Sequence, residues 1–225
     1  MTVVAGAICG SVFAAVTQDV LANDRSVLVD PGISRSVIGY RTGWVTSLMR
    51  ATTRLGSTLV LATIVLAIGS YFLAGKRRDW RPGLLLVCSL AGANALCRVV
   101  KPLVGRSGPP DPFHLVTATG SSFTSEHPTA FPSGHVTAAV AVWGMVAILL
   151  GSGSQRRAVS AWFGAAIVVL LVGGSRVYLG VHWWTDVVGG YALGGFWLCL
   201  VVSVMLVLRD QRTVAQRPVP ADARD

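Results

Sequence analysis

The side chains best suited to chemistry gather in Ser175-Arg-Val-Tyr-Leu-Gly-Val-His-Trp-Trp-Thr-Asp186, a polar stretch within one of the most apolar parts of the chain. His182 and Asp186 stand four residues apart, so on a helix both project from one face. The carboxylate can then accept the imidazole Nδ1–H and leave Nε2 free to attack an electrophile. Arg176 adds a permanently charged planar fork that matches the oxygens of a phosphoryl group. Any one of the three could serve a structural ion cluster. A nucleophile, its orienting carboxylate and an anion clamp set together beside hydrocarbon favour a reaction centre.

Two further segments fit the same chemistry. Phe131-Pro-Ser-Gly-His135 runs directly into an apolar stretch. Pro132 suits an early helical position, and Ser133 and Gly134 then fall where backbone N–H groups have no intrahelical partner, which makes an anion site. Gly134 lets a phosphate approach the main chain, the Ser133 hydroxyl adds a donor, and His135 sits beside the pocket as an acid or base. Upstream, Lys101 and Arg106 flank a helix exit in Lys101-Pro-Leu-Val-Gly-Arg106-Ser-Gly-Pro-Pro110, where Pro and Gly dictate an irregular loop. His114, Glu126 and His127 in the polar loop that follows read as ordinary loop residues.

These segments need elements that bring them together, and the composition names the solvent those elements face. With 52% hydrophobic and 13% charged residues and a mean hydropathy of +0.61, the chain reads as an integral membrane protein rather than a soluble domain. A length of 225 residues allows one domain, residues 1–225, of about six spanning helices at roughly 20 residues each. The all-α bundle is expected to have spans at Val3 to about Val20, Ser57 to about Ala74, Leu84 to about Val99, Val136 to Leu150, Val159 to Gly174 and about Trp184 to Leu208. Ala22 to Gly56 reads as a polar connection, partly an interfacial amphipathic helix. Cys9, Cys88, Cys97 and Cys199 lie in apolar runs and imply no disulfide framework.

Cations set the sidedness. Lys76, Arg77, Arg78 and Arg81, the loop bearing Arg156 and Arg157, and the tail 209–225 belong in the cytoplasm by the positive-inside rule, against the Arg residues between Arg25 and Arg54. Lys101, Arg106, Ser133, His135, Arg176, His182 and Asp186 then all reach the non-cytoplasmic ends of spans three to six.

At this point the sequence resembles the membrane-bound type 2 phosphatidic acid phosphatases, or lipid phosphate phosphatases, over roughly Leu84 to Tyr191. That family carries Lys-x6-Arg-Pro, Pro-Ser-Gly-His and Ser-Arg-x5-His-x3-Asp. The second signature is intact at Pro132–His135 and the third at Ser175–Asp186. In the first, Gly108 stands where the family has Arg, although Pro109 follows. Arg106, two residues earlier, is the candidate to take over that phosphate contact.

The resemblance implies metal-free hydrolysis of a lipid phosphate or diphosphate, such as polyprenyl diphosphate, phosphatidylglycerol phosphate or phosphatidate, with no cofactor and no nucleic-acid partner. His182, oriented by Asp186, would form a phosphohistidine, and His135 would protonate the leaving group. Lys101, Arg176, Ser133, Gly134 and Arg106 would hold the phosphate. The same fold supports lipid phosphotransferases, and a non-catalytic lipid-phosphate binder is the reading from a different class. The oligomeric state is not legible in the sequence.

Overall fold

The computed structural model describes residues 1–75, 78–110, 113 and 129–215. Lys76, Arg77, His114, Glu126, His127 and the tail beyond 215 lie outside the described residues. Every regular element among the described residues is a helix: α1 Thr2–Ala22, α2 Arg25–Leu28, α3 Asp30–Gly39, α4 Gly43–Arg54, α5 Thr58–Ala74, α6 Arg81–Val104, α7 Gly134–Gly151, α8 Gln155–Tyr178 and α9 Trp184–Ala215. Among the described residues five of these, α1, α6, α7, α8 and α9, are long and apolar enough to cross a membrane, and α4 and α5, bent by 52° at their break, are so when taken together. The chain is therefore an all-α, multi-pass membrane bundle.

The second span was expected to run from Ser57 to about Ala74, and α5 does so, with Ser57 as its N-cap. The connection before it was expected to be partly an amphipathic helix, and α4 is that helix. What the sequence did not show is how closely α4 joins the bundle. That helix buries Thr46 and Thr52 and packs along α8, while Trp44 and Leu48 face outward. Trp143 of α7 donates its indole N–H to the Leu55 carbonyl at the bend (3.1 Å), satisfying a group that the broken helix would leave unpaired.

At the centre is α7, whose residues Val136, Ala139, Ala141, Val142 and Met145 are all fully buried. It is apolar on every face, as a helix surrounded by other helices must be. Hydrocarbon offers no hydrophobic drive between helices, so close packing must supply the contact. Gly190 and Gly194 of α9 provide it by lying against the Ser133 and Thr137 carbonyls, where a Cβ would come within 2.9 and 2.7 Å. The start of α9 is thereby held against the start of α7. From the opposite flank, α1 packs along α9 and stacks Phe13 on the fully buried Phe131 (5.8 Å between centroids).

Two helix ends differ from expectation. The third span continues beyond Val99 through Pro102 to Val104 and stops at Gly105, which is left-handed at φ 64°. Lys101 consequently belongs to the last turn of α6 rather than to the loop after it. Pro132 precedes the Ser133 cap instead of opening α7.

Candidate functional site

The third signature is shaped by the way α8 ends. Gly180, at φ 74°, follows the last turn, its N–H bonds the Val177 carbonyl (3.0 Å), and the Val181 N–H reaches back to the Arg176 carbonyl (3.1 Å). This is the reverse turn that glycine makes after a helix. It directs the chain back so that His182 returns over Arg176. Arg41 fastens the turn from outside, donating Nε and Nη2 to the Tyr178 carbonyl (3.1 and 2.8 Å) and Nη2 also to the Phe113 carbonyl (2.6 Å).

His182 and Asp186 meet as expected, but by another local structure. His182 lies in the short connection ahead of α9, and Asp186 lies in the first turn of that helix, so the two do not share a helical face. The Asp186 carboxylate accepts the Trp183 N–H at Oδ2 (3.0 Å), as an acidic third residue does for a helix cap. That bond places the same oxygen 3.3 Å from His182 Nδ1. Asp186 is wholly buried, and its main-chain carbonyl accepts the Ser133 N–H (3.0 Å). One residue thus joins the second signature to the third.

At the start of α7 the N–H groups of Gly134, His135 and Val136 have no intrahelical acceptor. Among the described residues a Cβ at Gly134 would meet nothing within 4 Å. Ser133 Oγ is buried without a partner among the described residues, and so is Arg176 Nε, while Arg176 Nη1 donates to Thr53 Oγ1 (2.9 Å). Buried donors without acceptors are rare because each forfeits its bonds to water. The charges of Arg176 and Lys101 and the ring of His182 all act on His135. Lys101 holds the segment leading into α7 by donating Nζ to the Thr129 carbonyl (2.7 Å). Its ammonium has further N–H donors.

Arg106 requires a correction. Expected to contact phosphate in place of the Arg missing at position 108, it is engaged with two carboxylates. Its Nη1 donates to Asp186 Oδ1 and Thr185 Oγ1 (both 2.6 Å), and its Nη2 donates to Asp30 Oδ2 (2.6 Å). A guanidinium flanked by two anions has little positive field left for a third. Asp30, from α3, did not emerge from the sequence as a site residue.

Burial pushes the His182 imidazole down to about 4, and the positive charges of Arg176 and Lys101 push the same way against the raising influence of Asp186. A histidine with a lowered pKa is neutral above that value, so Nε2 carries a lone pair at neutral pH. Ring resonances of His182 followed by NMR in detergent are expected to titrate near pH 4. A midpoint at the ordinary value of about 6.5 would contradict this environment.

One end of the bundle therefore combines an unprotonated imidazole backed by a buried carboxylate, a second histidine, and a cradle of main-chain and side-chain donors for a tetrahedral anion. The model of the PAP2 superfamily matches residues 82–210. Phosphatidylglycerophosphatase B of Bacillus subtilis (strain 168) is 33% identical over 168 residues, covering 73% of this chain and 77% of that protein. An undecaprenyl-diphosphatase of Sulfolobus acidocaldarius is 33% identical over 128 residues, 57% of either chain. Among solved structures, the transmembrane PAP2 type phosphatidylglycerolphosphate phosphatase from Bacillus subtilis superposes with a TM-score of 0.78 at 27% identity, covering 90% of this chain and 96% of that one.

Proposed function

Since the chain belongs to the PAP2 superfamily, we propose that this integral-membrane phosphatase hydrolyses a lipid phosphate or diphosphate through a phosphohistidine on His182, at the non-cytoplasmic face of the bilayer. The observation that carries the reading is that Ser133 Oγ and Arg176 Nε are buried donors without partners among the described residues, beside the N-terminus of α7. They supply what a phosphoryl group's equatorial oxygens require where charge develops.

In the first step the Nε2 lone pair of His182 attacks phosphorus and the bond to the lipid oxygen breaks. The electron pair leaves with that oxygen, which takes a proton from His135. Water then attacks the phosphohistidine, His135 accepts the water's proton, and His182 departs from phosphorus unchanged. Asp186 keeps the Nδ1–H directed at itself throughout, which maintains the tautomer that attacks. Lys101, Arg176, Ser133 and the Gly134 N–H hold the transferred group. No step calls for a metal.

The relatives named above act on phosphatidylglycerol phosphate and undecaprenyl diphosphate, and the substrate proposed here is of that amphiphilic class. A cleft of about 500 Å3 between α5 and α6, lined by residues such as Thr58, Leu66, Leu90, Asn94 and Arg98, supports this reading. It begins beside the bend that touches α7 and offers an apolar wall to a lipid tail. We take residues 1–225 as one domain, since α1 packs on α9. The sidedness rests on Arg81, Arg156, Arg157 and Arg209 at the end away from the site. Arg41, which counted against it, is committed to carbonyls inside the protein.

Purified protein in detergent with EDTA is expected to release phosphate from short-chain phosphatidate. Binding without release would support a lipid-phosphate binder and overturn the hydrolase reading. His135→Ala should lower the rate on an alkyl phosphate by roughly 100-fold or more, and on p-nitrophenyl phosphate by far less, because an acidic leaving group needs little protonation. Equal losses on both substrates would remove His135 from the acid role.

A further inference from the structure

Asp30 lies outside residues 82–210 that match the family, in a segment that the sequence presents as a loop. Its carboxylate is nonetheless 1% exposed and bonded at both oxygens. Oδ1 accepts the Thr185 N–H (3.0 Å), and Oδ2 accepts Arg106 Nη2 (2.6 Å) and the Thr185 hydroxyl. Arg106 Nη1 in turn donates to Asp186 Oδ1 at 2.6 Å. One guanidinium is therefore shared between two buried carboxylates, and one of these orients His182.

We propose that Asp30 is a positioning residue for the reaction, acting through Arg106 and Thr185 to keep the negative charge of Asp186 available to His182. The inference rests on the assignment of His182 as nucleophile. A buried carboxylate paired alone with Arg106 would be largely neutralised by it, since charges at such separation in a low-dielectric interior interact strongly. The imidazole would then lose the support that makes Nε2 a good nucleophile. With Asp30 drawing on the same guanidinium, Asp186 is held in place by Arg106 without being fully compensated. Thr185 completes the geometry by accepting from Arg106 while donating to Asp30, which fixes the guanidinium plane against the first turn of α9.

A residue that only tied α3 to α9 would affect folding or substrate affinity. A residue acting on the nucleophile changes kcat and leaves KM alone. Full-length wild type, Asp30→Asn, Arg106→Gln and the double variant are compared on short-chain phosphatidate in detergent, each first shown monodisperse by gel filtration. Asp30→Asn is expected to lower kcat by roughly 10- to 100-fold with KM within about twofold. In the Arg106→Gln background the same change should have little further effect, because its influence passes through the missing guanidinium.

Unchanged kcat in Asp30→Asn, a raised KM with kcat retained, or the same fractional loss in both backgrounds would overturn the inference. Should Asp30→Asn fail to stay monodisperse, Thr185→Val removes only the bridging hydroxyl. A several-fold fall in its kcat supports the inference, and full activity overturns it. A wild type that releases no phosphate would remove the hydrolase reading as well, whereas an active wild type with an unaffected Asp30→Asn defeats only the role of Asp30.

Discussion

His182→Ala is expected to abolish phosphate release from every substrate, with kcat falling on the order of 10^4-fold or more. Cys97 is buried along α6, and Ser133, the N-cap of α7, has no base hydrogen-bonded to its hydroxyl among the described residues. The loss should not depend on the leaving group, because the step removed is bond formation to phosphorus. The fold should survive. Truncating a buried, neutral imidazole removes its long bond to Asp186, and the carboxylate keeps the Trp183 N–H and Arg106. A His182→Ala protein that runs monodisperse and retains more than about a tenth of wild-type kcat would mean that another group, or water itself, attacks.

Arg176→Ala should be the next most severe change. Arg176 is 8% exposed, and among the described residues its guanidinium bonds Thr53 and has no acceptor for its Nε–H. If that donor meets a phosphoryl oxygen whose charge grows in the transition state, its removal should lower kcat/KM by about 10^2- to 10^3-fold. Arg176→Lys should recover only part of this, since an ammonium cannot span two oxygens as the fork does. Ser133→Ala, which removes one neutral donor, should fall short of both. An Arg176→Ala protein within about threefold of wild type would assign the residue to a structural ion cluster and leave the phosphate without its main cation.

The contrast between Arg176 and Arg106 shows where sequence spacing suffices. Arg176, His182 and Asp186 lie on one short stretch, so the turn at Gly180 and the first turn of α9 bring them together with little help from elsewhere. Spacing alone found them, although it assigned the His–Asp pair to a helical face that the chain does not form there. Ser133 and Asp186 meet because Gly190 and Gly194 let α9 lie against α7, and the two signatures already pointed to that meeting.

Arg106 depends on partners distant in the chain. Loop flexibility allowed it to reach toward phosphate. What holds it elsewhere is a carboxylate 76 residues earlier, and an Asp ahead of Pro31-Gly32 reads in sequence as a turn residue. How closely α4 joins the bundle was hidden for a similar reason. The Thr and Arg residues of α4 interrupt the apolar pattern that marks a span, yet Thr46 is satisfied by the Tyr178 hydroxyl of α8 and Thr52 by the Met49 carbonyl of its own helix. Spans whose polar residues are few, such as α7 to α9, were legible within a few residues of their ends.

The claim on which the rest depends is the covalent intermediate. Mixing the protein with labelled lipid phosphate, quenching in alkali within the first turnover and sequencing the peptides by mass spectrometry tests it, because phosphohistidine survives alkali and is lost in acid. The expected result is one phosphoryl group on His182, formed no more slowly than phosphate is released and absent from His182→Ala. Phosphate release at the full rate with His182 unmodified throughout, or with the phosphoryl group on another residue, would contradict it.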